Sequence, residues 1–230
     1  MAVSYGLGAV MPTQLSAPPA GVLAVPLPSI DPIVPLPRPD AFDDAAWTFE
    51  PKYDGLRGFV YGSETGCEIR SPWDSQFEGF AELRARVARV LGQREVILDG
   101  EIVSLDPKGR PVFRELLRGR GYLAFAAFDL LWLDGRDLRS APLGERKREL
   151  GALLPSDTGP LYKIFALAEH GRALYEATRK MDLEGIVAKR TADPYSPDTI
   201  WYAIRNPAYR QSDGRVPVGR TRRMVARRER

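Results

Sequence analysis

FEPKYDGLR, residues 49–57, is the stretch on which the reading of this chain turns. Lys52 follows Glu50 and Pro51, precedes an Asp54-Gly55 pair, and has Arg57 five residues on. Asp-Gly between two apolar segments is a short-range hairpin signal. WTFE (47–50) and LRGFVYG (56–62) therefore read as two short strands around a turn. A lysine in that place is either an ordinary hairpin-edge residue or a nucleophile whose charge is managed by its surroundings.

Toward the C-terminus the pattern stays globular. FEGFAELRARVARVLGQ (77–93) repeats Phe80, Leu83, Val87 and Leu91 at helical spacing and predicts an amphipathic helix. EVILDGEIVSLD (95–106) predicts a strand closed by the turn DPKG (106–109). VFRELLRG (112–119) predicts a short helix, and YLAFAAFDLLWLDG (122–135) a buried strand ending at Asp134-Gly135. PLGERKRELGALL (142–154) predicts a helix with proline near its start, where it is tolerated. AEHGRALYEATRKMD (168–182) predicts a further helix, and EGIVAKR (184–190) and TIWYAIRN (199–206) the last two strands. This mixed order predicts an α+β fold with antiparallel sheets flanked by helices, not a regular βαβ alternation. Neither GxGxxG nor GxxxxGK[ST] is present, so no dinucleotide fingerprint or P-loop is indicated. Residues 1–40 are rich in proline and small residues and predict an extended leader whose second half is apolar enough to pack on a domain surface. The expected organisation is thus a leader (1–40), a domain (41–209) and a tail (210–230).

Of the 230 residues, 44% are hydrophobic and 27% charged, the balance of a soluble globular domain. No apolar run reaches the ~18 residues of a membrane span, and the N-terminus lacks the basic and apolar regions of a secretory signal. Cys67 is the only cysteine, which excludes an internal disulfide or a multi-cysteine zinc site and suits a reducing, cytoplasmic compartment. Cys67 reads as a small strand residue near a turn and His170 as a residue at a helix start. Charge is uneven. Residues 210–230 hold eight arginines against Asp213 and Glu229, a net +6 in a chain of net +3, which leaves the body at −3. Such an arm, with Arg220, Arg222, Arg223, Arg227 and Arg228, suits a polyanion such as DNA, and equally a solubilising tail.

Each short block is weak alone, but their order is specific. FEPKYDGLRG (49–58), EIRSPWDSQFEGF (68–80), LDGEIV (98–103), AFDLLWLDG (127–135), EGIVAKR (184–190) and IWYAIRNPAY (200–209) together resemble the motifs of the covalent nucleotidyltransferase superfamily. The resemblance runs from about Pro35 to Tyr209, and is strongest to the adenylation domain of bacterial ATP-dependent DNA ligases used in end-joining repair. It implies that Lys52 attacks the α-phosphorus of ATP to form a lysyl-AMP phosphoramidate. A free lysine has a pKa near ~10.4 and is protonated at neutral pH, so nearby cations and partial burial would have to disfavour its charge. Lysine suits the role because its pKa moves; arginine's does not.

The remaining roles follow from the same resemblance. Glu50 would sit beside the adenine edge, Arg57 and Arg70 would contact ribose and phosphate, and Glu101 would bond the ribose hydroxyls. Phe128 would stack on adenine, unless it is plain core between Phe125 and Trp132. Glu101 and Glu184 would hold Mg²⁺ or Mn²⁺ through oxygen ligands, with Asp54 and Asp99 assisting through water. Lys189 matches the pattern without an assigned role. The implied substrate is nicked or broken DNA, the implied partners other DNA-repair proteins, and the expected state a monomer.

The chain also departs from that pattern. The family's fifth motif carries two alternating lysines for the α-phosphate; here those positions are Ala203 and Arg205. They share a strand face, so one cation is missing and one replaced by a non-equivalent group. SPWDSQ (71–76) alters the second block. Most DNA ligases continue into an OB-fold, which the arginine-rich stretch after Tyr209 is too short to form, so none is expected here. Two alternatives stand beside a minimal ligase-type adenylyltransferase: a degenerate nucleotide- or DNA-binding repair scaffold on the same fold, and RNA ligation or capping chemistry.

Overall fold

The computed structural model describes residues 27–72, 77, 79–156 and 158–210. Its first lesson is that the strands flanking Asp54-Gly55 do not form a hairpin. β1 (Leu36–Pro37), β2 (Asp44–Lys52), β9 (Leu167–Glu169), β10 (Gly185–Arg190) and β11 (Trp201–Arg205) make a first sheet in the order β1-β11-β10-β2-β9. β3 (Leu56–Ser63), β4 (Gly66–Arg70), β5 (Val96–Leu105), β6 (Tyr122–Leu133) and β7 (Arg136–Asp137) make a second, in the order β4-β3-β5-β6-β7, with β8 (Leu161–Lys163) parallel to β6. β2 ends in one sheet and β3 starts in the other, so residues 53–55 carry the chain across.

The hairpin expectation fails because Asp-Gly marks a chain reversal only when the flanking strands pair with each other. Gly55 serves a different need: a Cβ there would lie 2.2 Å from the Ile102 carbonyl oxygen and 2.8 Å from Glu101 Cγ, so only glycine lets the crossing chain press against β5. The Asp134-Gly135 pair is the real two-residue hairpin turn. Both residues have positive φ, 46° and 80°, and Leu133 faces Arg136 across it.

The helices cover the outer faces. α1 (Ala81–Leu91) buries Leu83, Val87 and Leu91, four residues apart, as its periodicity predicts. With Leu150 and Leu154, at the end of α3 (Leu143–Leu153), they pack on Val60, Ile69, Leu98 and Leu130 of the second sheet. The short α2 (Phe113–Leu117) lies beside β5. α4 (Gly171–Lys180) sets Leu174 against Phe49, Ile186, Ala188 and Ile204 of the first sheet. It begins after His170, and the preceding Ala168 and Glu169, predicted helical, belong instead to β9. Cys67 is the second residue of β4, and burial pushes its thiol up to about 12.

The inner faces meet through Phe59, Tyr61, Ile97 and Leu131 from the second sheet and Trp201 from the first, with Ile30, Ile33 and Tyr195 completing the cluster. The described part of the expected leader is therefore structural. Ile30 and Ile33 are core residues, and β1 pairs parallel with β11. Among the described residues, no helix is long and apolar enough to cross a membrane.

Candidate functional site

The inner face of the first sheet gathers the residues that the motifs single out. Across β2, β10 and β11, Lys52 lies opposite Gly185, and Gly185 opposite Arg205. One row deeper stand Glu50, Val187 and Ala203, and below them Thr48, Lys189 and Trp201. Residues opposite one another share a face, and so do alternate residues along a strand. Lys52, Glu50, Lys189, Trp201, Ala203 and Arg205 therefore share one surface, turned toward the second sheet.

Lys52 is the last residue of β2. Its ammonium donates to Glu184 Oε2 at 2.7 Å; its side chain is 25% exposed and that of Glu184 4%. Glu184 immediately precedes β10, and the chain beyond β11 ties it down: Asn206 donates its backbone N–H to the Glu184 carbonyl at 2.8 Å. The Tyr209 hydroxyl donates to Asp54 Oδ2 at 3.0 Å, so the same returning segment also holds the crossing loop.

Glu101 rises from β5 of the second sheet, opposite Arg57 on β3. Burial pushes its carboxyl up to about 8, with Lys52 and Arg57 opposing and the charges of Glu184 and Asp54 adding to the rise. Glu101 thus feels the charges of two other carboxylates as well as of two cations. Hard oxygen donors of this kind, completed by substrate phosphates, fit Mg²⁺ or Mn²⁺. Among the described residues, no group of three or more Asp, Glu, His or Cys is placed to hold a metal ion by itself.

Arg57 is held tightly. Nε donates to Asp99 Oδ1 at 3.1 Å, Nη2 to Asp99 Oδ2 at 2.7 Å, and Nη1 to the Ile33 carbonyl at 2.5 Å. Burial opposes its charge, but Asp99 outweighs that and keeps the guanidinium above its ordinary value. The Phe128 ring is 5.4 Å from Arg57 Cζ, 4.2 Å from Lys189 Nζ, and edge-on to Trp201 at 6.0 Å. Phe128 is partly buried and packs against two core clusters, with Trp201 and Ile97 on one side and Ala126 and Tyr162 on the other.

Sequence reasoning left Lys189 without a role and missed Lys147 altogether. Both ion-pair with the buried Glu50 carboxylate, Lys189 at 2.8 Å and Lys147 from α3. Lys189 is itself buried, which pushes its ammonium down to about 8, Glu50 opposing and Lys147 adding to the fall. Lys147 sits inside the charged run ERKRE, which reads as a solvated helix face, and nothing local marks it.

The other expected residues are placed less centrally. Arg70 stands on the edge strand β4, gives its guanidinium to Glu68 at 2.9 and 2.7 Å, and lies over the Tyr61 ring. Arg205 is exposed at the end of β11, in line with Lys52. Arg220, Arg222, Arg223, Arg227 and Arg228 lie outside the described residues.

Comparison with known proteins agrees with this geometry. The sequence model of the ATP dependent DNA ligase domain matches residues 23–204. The multifunctional non-homologous end joining protein LigD of Mycolicibacterium smegmatis is 37% identical over 166 residues, 67% of this chain and 22% of that protein. Its counterpart in Pseudomonas aeruginosa is 41% identical over 157 residues, 65% of this chain and 18% of that protein. The chain therefore spans about a fifth of the length of these relatives. A solved structure of mycobacterial DNA ligase D complexed with ATP and MES superposes with a TM-score of 0.67 at 31% identity, covering 76% of this chain and 60% of that one. A Lig E DNA ligase, at 15% identity and a TM-score of 0.51, shares the fold. With its ordered motifs, its two-sheet cleft and a family match over most of its length, this chain belongs to the ATP-dependent DNA ligase domain family.

Proposed function

We propose that the chain performs the adenylyl-transfer step of an ATP-dependent DNA ligase. Lys52 Nζ attacks the α-phosphorus of ATP; an N–P bond forms, the bond to the bridging oxygen breaks, and pyrophosphate leaves. The AMP then passes to a 5′-phosphate at a nick or broken end in DNA. The observation that carries this reading is the Lys52–Glu184 contact at 2.7 Å where the chain crosses between sheets. A lysine attacks only after losing a proton, and Glu184 Oε2 is the acceptor already in hydrogen-bond reach. Glu101 and Glu184 would hold a divalent cation, Mg²⁺ or Mn²⁺, which would supply charge neutralisation at the nucleotide phosphates. Deeper in the cleft, Phe128 stacks on the adenine and Glu50, paired with Lys147 and Lys189, takes the base edge. Arg57 and Glu101 meet the ribose, and Arg70 and Arg205 the phosphates.

The test is intact mass before and after incubation with ATP and Mg²⁺, followed by peptide mapping. One added AMP on the peptide containing residues 49–57 is expected; no increment with any nucleoside triphosphate overturns the reading.

Ala203 favours a second reading, a nucleotide- or DNA-binding repair module without this chemistry. Its row neighbours are Val187 and Glu50, so a lysine there would enter the cleft beside Arg205. A preorganised cation at developing phosphate charge is worth several kcal/mol, roughly a hundredfold in rate. Ala203→Lys should accordingly speed AMP loading by roughly that factor, measured by quench-flow labelling; an unchanged rate removes the argument that a clamp is missing.

DNA nicks or ends are the proposed substrate, with the arginine arm at 210–230 as an electrostatic contact. Truncation after Tyr209 should weaken DNA binding and flatten its dependence on salt, and an unchanged slope would leave the arm a solubiliser. A monomer working in the bacterial cytosol with other repair proteins completes the proposal.

A further inference from the structure

The Tyr195 hydroxyl sits where four separate segments meet. It donates to Asp99 Oδ2 at 2.7 Å, on the same oxygen that receives Arg57 Nη2 at 2.7 Å. It also lies 3.5 Å from Arg57 Nη2 and accepts from the Ile33 backbone N–H at 3.5 Å. The Ile33 carbonyl in turn takes Arg57 Nη1. Tyr195 belongs to the β10–β11 connection of the first sheet, Arg57 and Asp99 to β3 and β5 of the second, and Ile33 to the segment before β1. Asp99 is completely buried, Tyr195 nearly so, and the Tyr195 ring stands edge-on to Trp201 at 5.7 Å.

A buried carboxylate needs every oxygen satisfied, and a group that shares its partner fixes that partner's direction. With Asp99 bonded from two sides, the guanidinium of Arg57 has one orientation, in which Nε, Nη1 and Nη2 are already engaged. It is held 5.4 Å from Phe128 and 5.7 Å from Trp201, at the aromatic end of the cleft. The bond from Tyr195 to Asp99 also joins the two sheets directly, so the same hydroxyl governs their separation there.

We propose that Tyr195 is a positioning residue: through Asp99 it sets the orientation of Arg57 and the width of the nucleotide cleft. The inference deepens the proposed function and rests on it for the identity of the ligand as a nucleoside triphosphate. The Tyr195 hydroxyl is directed at Asp99, Arg57 and Ile33, away from the Lys52–Glu184 pair, so its effect should fall on binding more than on the reaction of bound nucleotide.

The test is a double-mutant cycle on the full chain, with ATP affinity read from intrinsic tryptophan fluorescence and AMP loading read separately by mass. Tyr195→Phe keeps the ring and removes only the hydroxyl. It should raise the Kd for ATP by roughly tenfold while the loading rate at saturating ATP changes by less than about twofold. In an Arg57→Gln background the same substitution should add nothing, because Tyr195 acts through Arg57. A purely structural role would lower thermal stability and leave both the affinity and the cycle unmoved. Unchanged affinity in Tyr195→Phe, or an effect that adds in full to that of Arg57→Gln, overturns the proposal. A wild type that binds ATP but gains no AMP fails the proposed reaction and leaves the Kd comparison to decide this one; a wild type that binds no ATP overturns both.

Discussion

Lys52→Arg is expected to give a folded protein that binds ATP and carries no covalent AMP. The guanidinium keeps a positive charge beside Glu184, so the ion pair that now closes the β2–β10 end survives in altered form. What disappears is the proposed nucleophile. A lysine amine is released by a modest environmental push, whereas a guanidinium stays protonated at any accessible pH and its nitrogens lack a free lone pair. Lys52→Ala should lose the adduct as well, but with a second effect. Glu184, only 4% exposed, would lose its ion pair with Lys52, at a cost of about 1–3 kcal/mol in stability. The arginine variant therefore isolates chemistry from packing. Intact mass and ATP titration together check it, and AMP still found on the arginine variant would move the nucleophile elsewhere.

Arg146→Met is expected to be strongly destabilising. Arg146 and Asp129 are 1% and 0% exposed, joined by bonds of 2.8 and 3.0 Å. The remaining donors of Arg146 reach the Ala141 carbonyl at 2.6 Å and the Asp193 carbonyl at 3.1 Å. The side chain thus pins α3 to β6 and to the β10–β11 connection at once. Removing it strands a carboxylate in the core, which costs roughly 3–5 kcal/mol. At about 2–4 °C per kcal/mol for a chain of this size, the midpoint of thermal unfolding should fall by roughly 10 °C. Arg146→Met with Asp129→Leu should recover most of the loss, since an apolar pair of similar volume is often neutral where half an ion pair is not. Calorimetry on the three proteins decides it: a single variant as stable as wild type would show that water reaches Asp129.

How much of this was legible beforehand depends on range. Periodicity is a local property, and it correctly placed α1, α2, α3, β5, β6, β10 and β11. It mistook the junction at Asp54-Gly55, because a dipeptide cannot say whether its flanking strands pair together or with distant partners. It passed over β8 and β9, three residues each, whose pairing rather than composition makes them strands. The motif residues Lys52, Glu50, Glu101, Phe128 and Glu184 do converge on one cleft. Their anchors Asp99, Tyr195 and Lys147 were not singled out as anchors, since an acid in LDGE or a lysine in ERKRE looks the same whether solvated or buried. Arg146 did leave a trace: it falls three residues after Leu143 and four before Leu150, on the apolar stripe of its helix.

The second sheet, from Leu56 to Lys163, is one uninterrupted stretch placed between β2 and β9, which are neighbours in the first sheet. Its pairings join strands close in sequence, β3 with β4 and β5, and β5 with β6. The first sheet instead must bring Lys52 to Gly185 and to a glutamate 132 positions away. Closing a longer loop costs more entropy before any contact rewards it, so distant pairings come late in the order of assembly. On the ribosome, a chain that has not yet emerged past residue 184 has made the lysine but neither its acceptor nor the strand beside it. The Lys52–Glu184 pair is thus a property of the finished fold, and a half-made chain carries the lysine without it.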